Sequence, residues 1–138
     1  MRIVLDTNSL VQCIGYHSIY RSVWQSILQG RNILCVSNEI LCEYEEILSR
    51  FFTPEFAEAV IDALIESAHV EFINPSYRFN LITVDPDDNK FVDCAIAANA
   101  RFIVTEDHHF NVLKEISFPS VPVLNIDEFL SELEAKYS

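Results

Sequence analysis

The chain has 138 residues, half of them hydrophobic, with only two glycines and a formal net charge of −12. That length suits one domain with a substantial core, and the scarcity of glycine argues against long flexible linkers. The charge excludes tight non-specific binding to nucleic acid by this chain alone, because phosphate contacts rest on Lys and Arg; a basic partner would offset it.

No apolar run approaches the ~20 residues of a membrane span. The N-terminal MRIVLDTN is too short and too early interrupted by Asp6 to be a secretory signal. A cytoplasmic protein without membrane contact is expected. Cys13, Cys35, Cys42 and Cys94 lie in apolar surroundings with no CxxC spacing, so buried reduced thiols are expected.

In chain order, residues 2–5 predict a buried strand ending at Asp6. A helical stretch follows, with Ile19, Val23, Trp24, Ile27 and Leu28 at helical spacing and Gly30 as its stop. Residues 33–36 predict a second strand. Ser37 then caps a helix carrying Ile40, Leu41, Tyr44, Ile47, Leu48 and Phe51 on one face. Thr53-Pro54 opens another helix, with Phe56, Val60, Ile61, Leu64 and Ile65 toward the core.

Residues 70–73 predict a third strand, and 74–87 a loop with a short strand around 79–84. A helix is expected from Asp88 to Asn99, then strands at 102–105 and 121–124. Asn125 with Glu128 forms a capping box for a last helix ending near Tyr137. Strands alternating with helices predict an α/β fold: three layers, a mainly parallel central sheet flanked by helices, one domain over residues 1–138.

Into this pattern are set five acids: Asp6, Glu43, Asp88, Asp93 and Asp107. Ligands of parallel α/β sheets collect beyond the carboxyl ends of the strands, where Asp6 and Asp107 fall. Each acid also has an ordinary structural reading. Asp6 and Asp88 suit helix starts, Asp107 a turn, and Glu43 a solvated helix face. At about 100° per residue, however, Glu43 lies near the border of the apolar arc, with Glu45 almost as close on the other side.

Asp93 carries the sharpest signal, because the run FVDCAIAA is apolar all round its helix. An unpaired buried carboxylate is costly, and Lys90 is the one basic residue at helical spacing. A Lys90–Asp93 pair is therefore the structural alternative. His108 and His109 lack a partner at ligand spacing and read as surface histidines. An oxygen-rich cluster of acids suits Mg²⁺ or Mn²⁺.

Taken together, Asp6-Thr7-Asn8 after the first strand, the helical Glu43, the DPDDNKF segment, Asp93 before AIAA, and Thr105-Glu106-Asp107 resemble the PIN domain family. Those proteins are metal-dependent ribonucleases that include toxins of bacterial toxin–antitoxin pairs. The likeness spans nearly the whole chain. It implies that Asp6, Glu43, Asp93 and Asp107 hold one or two Mg²⁺ or Mn²⁺ ions, that Asp88 is an extra acid able to join them, and that Asn8 and Thr105 position the acids.

It further implies an RNA substrate, an antitoxin partner and a homodimer. A catalytically inactive PIN-like binding or scaffold protein is the alternative. A phosphohydrolase of the haloacid dehalogenase type would need a second Asp two residues after Asp6, where Asn8 stands.

Overall fold

The computed structural model describes residues 1–137. Arg2–Leu5 forms β1, the middle strand of five. Ile3, Val4 and Leu5 are all fully buried, and successive side chains point to opposite faces, so both faces of this strand are covered. The others are β2 (Ile33–Val36), β3 (Val70–Phe72), β4 (Phe102–Val104) and β5 (Val123–Leu124). Their order is β3-β2-β1-β4-β5, and every pairing is parallel.

The chain thus moves outward from β1 to β3, then returns to the other side through β4. The two arms diverge between β1 and β4, and their carboxyl ends form the crevice where such sheets bind ligands. Leu5 pairs with Val104, which brings Asp6 and Thr105 side by side just past the last rung.

Six helices connect the strands: α1 (Thr7–Ile14), α2 (Arg21–Leu28), α3 (Asn38–Phe51), α4 (Pro54–Glu66), α5 (Asn89–Ala98) and α6 (Ile126–Tyr137). Ser37 and Thr53 cap α3 and α4 through their side chains, as their sequence contexts predict. The Asn125–Glu128 capping box forms with reciprocal hydrogen bonds of 2.7 and 2.9 Å. Among the described residues, no helix is long and apolar enough to cross a membrane.

Several elements depart from the sequence expectation. The first helical stretch is two helices, because Gly15 and Ser18 build a turn between them and leave Ile19 outside, 79% exposed. Phe51, Phe56 and Ile65 face solvent rather than the core. No strand forms at 79–84. The Asn89 side chain instead grips Ile82, accepting its N–H at 2.9 Å and donating to its carbonyl at 2.8 Å, so these groups have no need of a ladder. His108–Glu115 is a 3₁₀ segment that apolar periodicity does not reveal. Cys13, Cys35 and Cys94 are buried free thiols, whereas Cys42 is exposed on α3.

One contact ties the helical layer to the crevice. The fully buried Tyr44 of α3 donates its hydroxyl to the Leu5 carbonyl at 2.6 Å, fixing α3 at the carboxyl end of β1. Tyr44→Phe leaves that buried carbonyl short of a donor and is expected to lower stability by about 1–3 kcal/mol in urea denaturation. An unchanged midpoint would show that the hydroxyl contributes nothing.

Candidate active site

Asp6 begins the site. It caps α1, accepting the Ser9 N–H at 2.8 Å on one carboxylate oxygen. The other oxygen accepts the Thr105 hydroxyl. Capping and site membership therefore coincide in one residue, which is only 6% exposed. Burial pushes the Asp6 carboxyl above its ordinary pKa; the Thr105 and Ser9 hydrogen bonds oppose this, and the nearby charge of Asp107 adds to the rise.

Thr105 links the two central strands. Its hydroxyl serves Asp6 while accepting the Asp107 N–H at 3.0 Å. Asp107 in turn caps the 3₁₀ segment through the His109 N–H at 2.9 Å, and the His109 imidazole Nδ1 lies 3.3 Å from the same carboxylate oxygen. Asn8, by contrast, is exposed, and it is Ser9 that orients Asp6.

Asp88 approaches from the start of α5. Its Oδ2 lies 3.8 Å from His109 Nδ1. Both atoms are buried, and neither has a hydrogen-bond partner among the described residues. Burial first, then the charges of Asp85 and Asp107, push the Asp88 carboxyl up to about 7. Asp85, which caps the short 3₁₀ turn Pro86–Asp88, completes a group: ligand atoms of Asp85, Asp88 and His109 all lie within 4.8 Å of one another.

Glu43 joins this region through α3. The Thr7 hydroxyl donates to one of its oxygens, and Lys90 Nζ lies 2.8 Å from the other. Lys90 also pairs with Asp87 at 2.8 Å and is itself only 9% exposed. The lysine therefore serves Glu43 and Asp87, and the Lys90–Asp93 pair does not form. Glu45 is exposed and Glu43 half-buried, a difference that helical spacing left open.

Asp93 stands apart. It is 6% exposed and accepts the Phe79 N–H at 3.1 Å. Its carboxyl is raised by burial and has Arg78 and Glu39 as charged neighbours. Five residues of helix turn it about 140° from Asp88, onto another face. The structure thus gathers Asp6, Asp88, Asp107 and Thr105, sets Glu43 beside them through Thr7, and leaves Asp93 on a neighbouring cleft.

Sequence reasoning left Asp85 out of the site, read His109 as a surface histidine, gave Thr7 no role beyond the Asp-Thr-Asn motif, and assigned Lys90 to Asp93. His108 is exposed as expected, but His109 is drawn inward by the 3₁₀ segment. The i, i+3 spacing of Asp85 and Asp88 was the available signal. The donor set of carboxylate oxygens with one imidazole fits a divalent cation, Mn²⁺ more readily than Mg²⁺ because of the nitrogen. The buried Asp88 oxygen and His109 nitrogen, which form no hydrogen bond with any described residue, are the atoms such an ion would contact.

Asp88 makes the metal-free protein pH-sensitive. Its folded-state pKa of about 7 lies above the ordinary 3.8, so folding favours the protonated carboxyl. The stability it carries is full below about 3.8 and is lost as pH climbs through about 7. Thermal denaturation in chelator is expected to show a falling melting temperature across that window, flattened in Asp88→Asn. Parallel profiles for the two proteins would contradict the assignment.

Comparison with known proteins places this geometry. The family model for the PIN domain matches residues 2–109. Solved structures with similar folds include VapBC2 from Rickettsia felis bound to a promoter DNA fragment, at 23% identity, with a TM-score of 0.62 and 91% of this chain and 98% of that chain covered. DNA-bound VapBC from Salmonella typhimurium is similar at 16% identity and a TM-score of 0.57, with the same coverage of 91% and 98%. The PIN domain endonuclease Utp24 is similar at 15% identity and a TM-score of 0.51, with 90% and 84% covered. No curated protein matches the chain. With the family model matching most of its length, the chain belongs to the PIN domain family.

Proposed function

We propose that this protein is a metal-dependent endoribonuclease that hydrolyses RNA phosphodiester bonds with Mg²⁺ or Mn²⁺, and that it is the toxin of a type II toxin–antitoxin pair. The observation that carries the reading is the convergence of Asp6, Asp88, Asp107 and His109 in the crevice beyond β1 and β4, where buried Asp88 Oδ2 and His109 Nδ1 form no hydrogen bond with any described residue. Asp85, Asp88 and His109 would hold the ion, with Asp6 and Asp107 bordering it. Bound there, a divalent cation supplies Lewis-acid polarisation of a phosphate oxygen and a more acidic water.

The chain's own groups do the rest. Thr105 and Ser9 fix both oxygens of Asp6, so the carboxylate cannot rotate away from the crevice. Asp107 holds the backbone of His109 and thereby sets the approach of its ring. Lys90 offsets one of the two charges of Glu43 and Asp87, which lowers the repulsion an incoming phosphate would meet. Mutual repulsion among the acids is relieved only when a cation enters, so metal binding and order in the site are coupled.

The toxin role and the antitoxin partner are supported by the fold shared with the VapBC proteins; the homodimer comes with that reading. Cytoplasmic location follows from the same role. A second reading, an inactive PIN-like binding protein, draws support from Lys90, since an internal cation already occupies Glu43.

Cleavage of single-stranded RNA by purified protein separates the two. Thr105→Val is expected to reduce Mn²⁺-dependent cleavage by about 10–100-fold, as for groups that orient metal ligands. Asp6→Asn, Asp88→Asn and Asp107→Asn should each cost more, and chelator should abolish turnover. Variants as active as wild type would remove these residues from the site. Mn²⁺ binding without cleavage would favour the inactive reading.

A further inference from the structure

A cleft of about 570 Å³ opens at the amino edge of the sheet, at the other end of β1 and β4 from the acid cluster. That volume is in the range of small-ligand pockets, about 300–1,000 Å³. Arg2, Asn99, Arg101 and Ser120 line it, and among the described residues no acid does. The chain as a whole carries 21 Asp and Glu against nine Lys and Arg, so two arginines without a carboxylate in one wall run against its general charge.

The sheet register sets these arginines side by side. Ile3 pairs with Phe102, so Arg2 and Arg101 each stand one residue before that rung, and the Arg101 N–H donates to the Arg2 carbonyl at 2.7 Å. Arg2 is anchored. Its Nε donates to the Ala98 carbonyl at 2.7 Å, covering the negative end of α5, and its Nη1 pairs with Glu71. Its Nη2 donates to no described residue. The exposed Arg101 guanidinium lies 4.8 Å from the Phe102 ring centre and forms no ion pair with a described residue. Asn99 closes α5 in the left-handed conformation, and neither its amide nor the Ser120 hydroxyl has a hydrogen-bond partner among the described residues.

The cleft therefore presents guanidinium N–H groups, an amide and a hydroxyl, which are donors in want of acceptors. A cation would be repelled, and a neutral ligand would leave the charge of Arg101 unanswered. A phosphate monoester answers it, because it offers three strong acceptor oxygens and guanidinium groups grip it bidentately. A carboxylate, with two oxygens, satisfies fewer of these donors. We propose that this cleft binds the phosphate group of a nucleotide-sized ligand, with Arg101 and Arg2 as its charged contacts and Asn99 and Ser120 as neutral donors. The site is distinct from the crevice, since four strand steps from Arg101 to Thr105 span roughly 13 Å, and it stands whether or not the protein cleaves RNA.

The test is binding in chelator, by calorimetry and chemical-shift titration of the intact protein. The probes are inorganic phosphate, adenosine monophosphate, adenosine, and a short oligoribonucleotide with and without a 5′-phosphate. Adenosine monophosphate is expected to bind with a Kd below about 1 mM and at least about tenfold more tightly than adenosine. Its shifts should centre on Asn99, Arg101 and Ser120. Arg101→Gln, an exposed change that spares the core, should weaken it at least about fivefold, a difference near 1 kcal/mol. Ser120→Ala should weaken it by a smaller factor, and neither change should alter Mn²⁺ affinity, because sites this far apart act independently. Displacement of the nucleotide by inorganic phosphate would assign the cleft to free phosphate compounds, and oligoribonucleotide binding that requires the 5′-phosphate would assign it to RNA ends.

Absence of binding by every phosphate compound at about 10 mM would overturn the proposal. So would equal affinity for adenosine and its monophosphate, or unchanged affinity in Arg101→Gln. Shifts confined to Thr105 and His109 would place the anion in the crevice instead. Binding of an acidic peptide but of no phosphate compound would make this face a protein contact and equally end the proposal. Loss of RNA cleavage in Asp6→Asn with phosphate binding intact would show that the two sites stand or fall separately.

Discussion

Concentrated negative charge at one edge of a parallel sheet is the constraint on which the rest of this molecule depends. Asp6 and Asp107 arrive there because β1 and β4 are neighbours in register, and Asp88 because α5 starts there. Burial and mutual repulsion drive the carboxyls of Asp6 and Asp88 toward protonation. A site so arranged is out of balance without a cation. Every nearby hydrogen bond, from Thr105, Ser9 and the Asp107 N–H, holds the acids in place rather than separating them.

The strand positions were legible because short β-branched runs between turn signals have few alternatives, and the caps at Ser37, Thr53 and Asn125 marked helix starts accurately. What periodicity could not supply was competition from side chains. Asn89 replaced a strand partner for Ile82, and the Gly15–Ser18 turn split a helix. The 3₁₀ segment turned His109 inward, although nothing in its spacing distinguishes it from His108.

The site shows the same division. Asp6 and Asp107 were singled out by their position after strands, and Glu43 by the family resemblance, because helical spacing left Glu45 almost as close to the core border. The burial of Asp93 was also legible, since its helix is apolar all round. Burial, however, says nothing about direction: Asp88 ends the 3₁₀ turn before α5 and meets His109, while Asp93 lies inside α5 and meets Phe79. Lys90 was visible as a possible partner for Asp93, yet it reached across to α3, a contact between elements that no local rule contains.

The double grip of Asn89 on Ile82 joins a stretch without regular structure to the start of a helix. It rivets the irregular stretch before α5 to that helix's first turn, within one residue of Asp88. A shift of the segment around Ile82 therefore has to move the first turn of α5, which follows directly on Asp88.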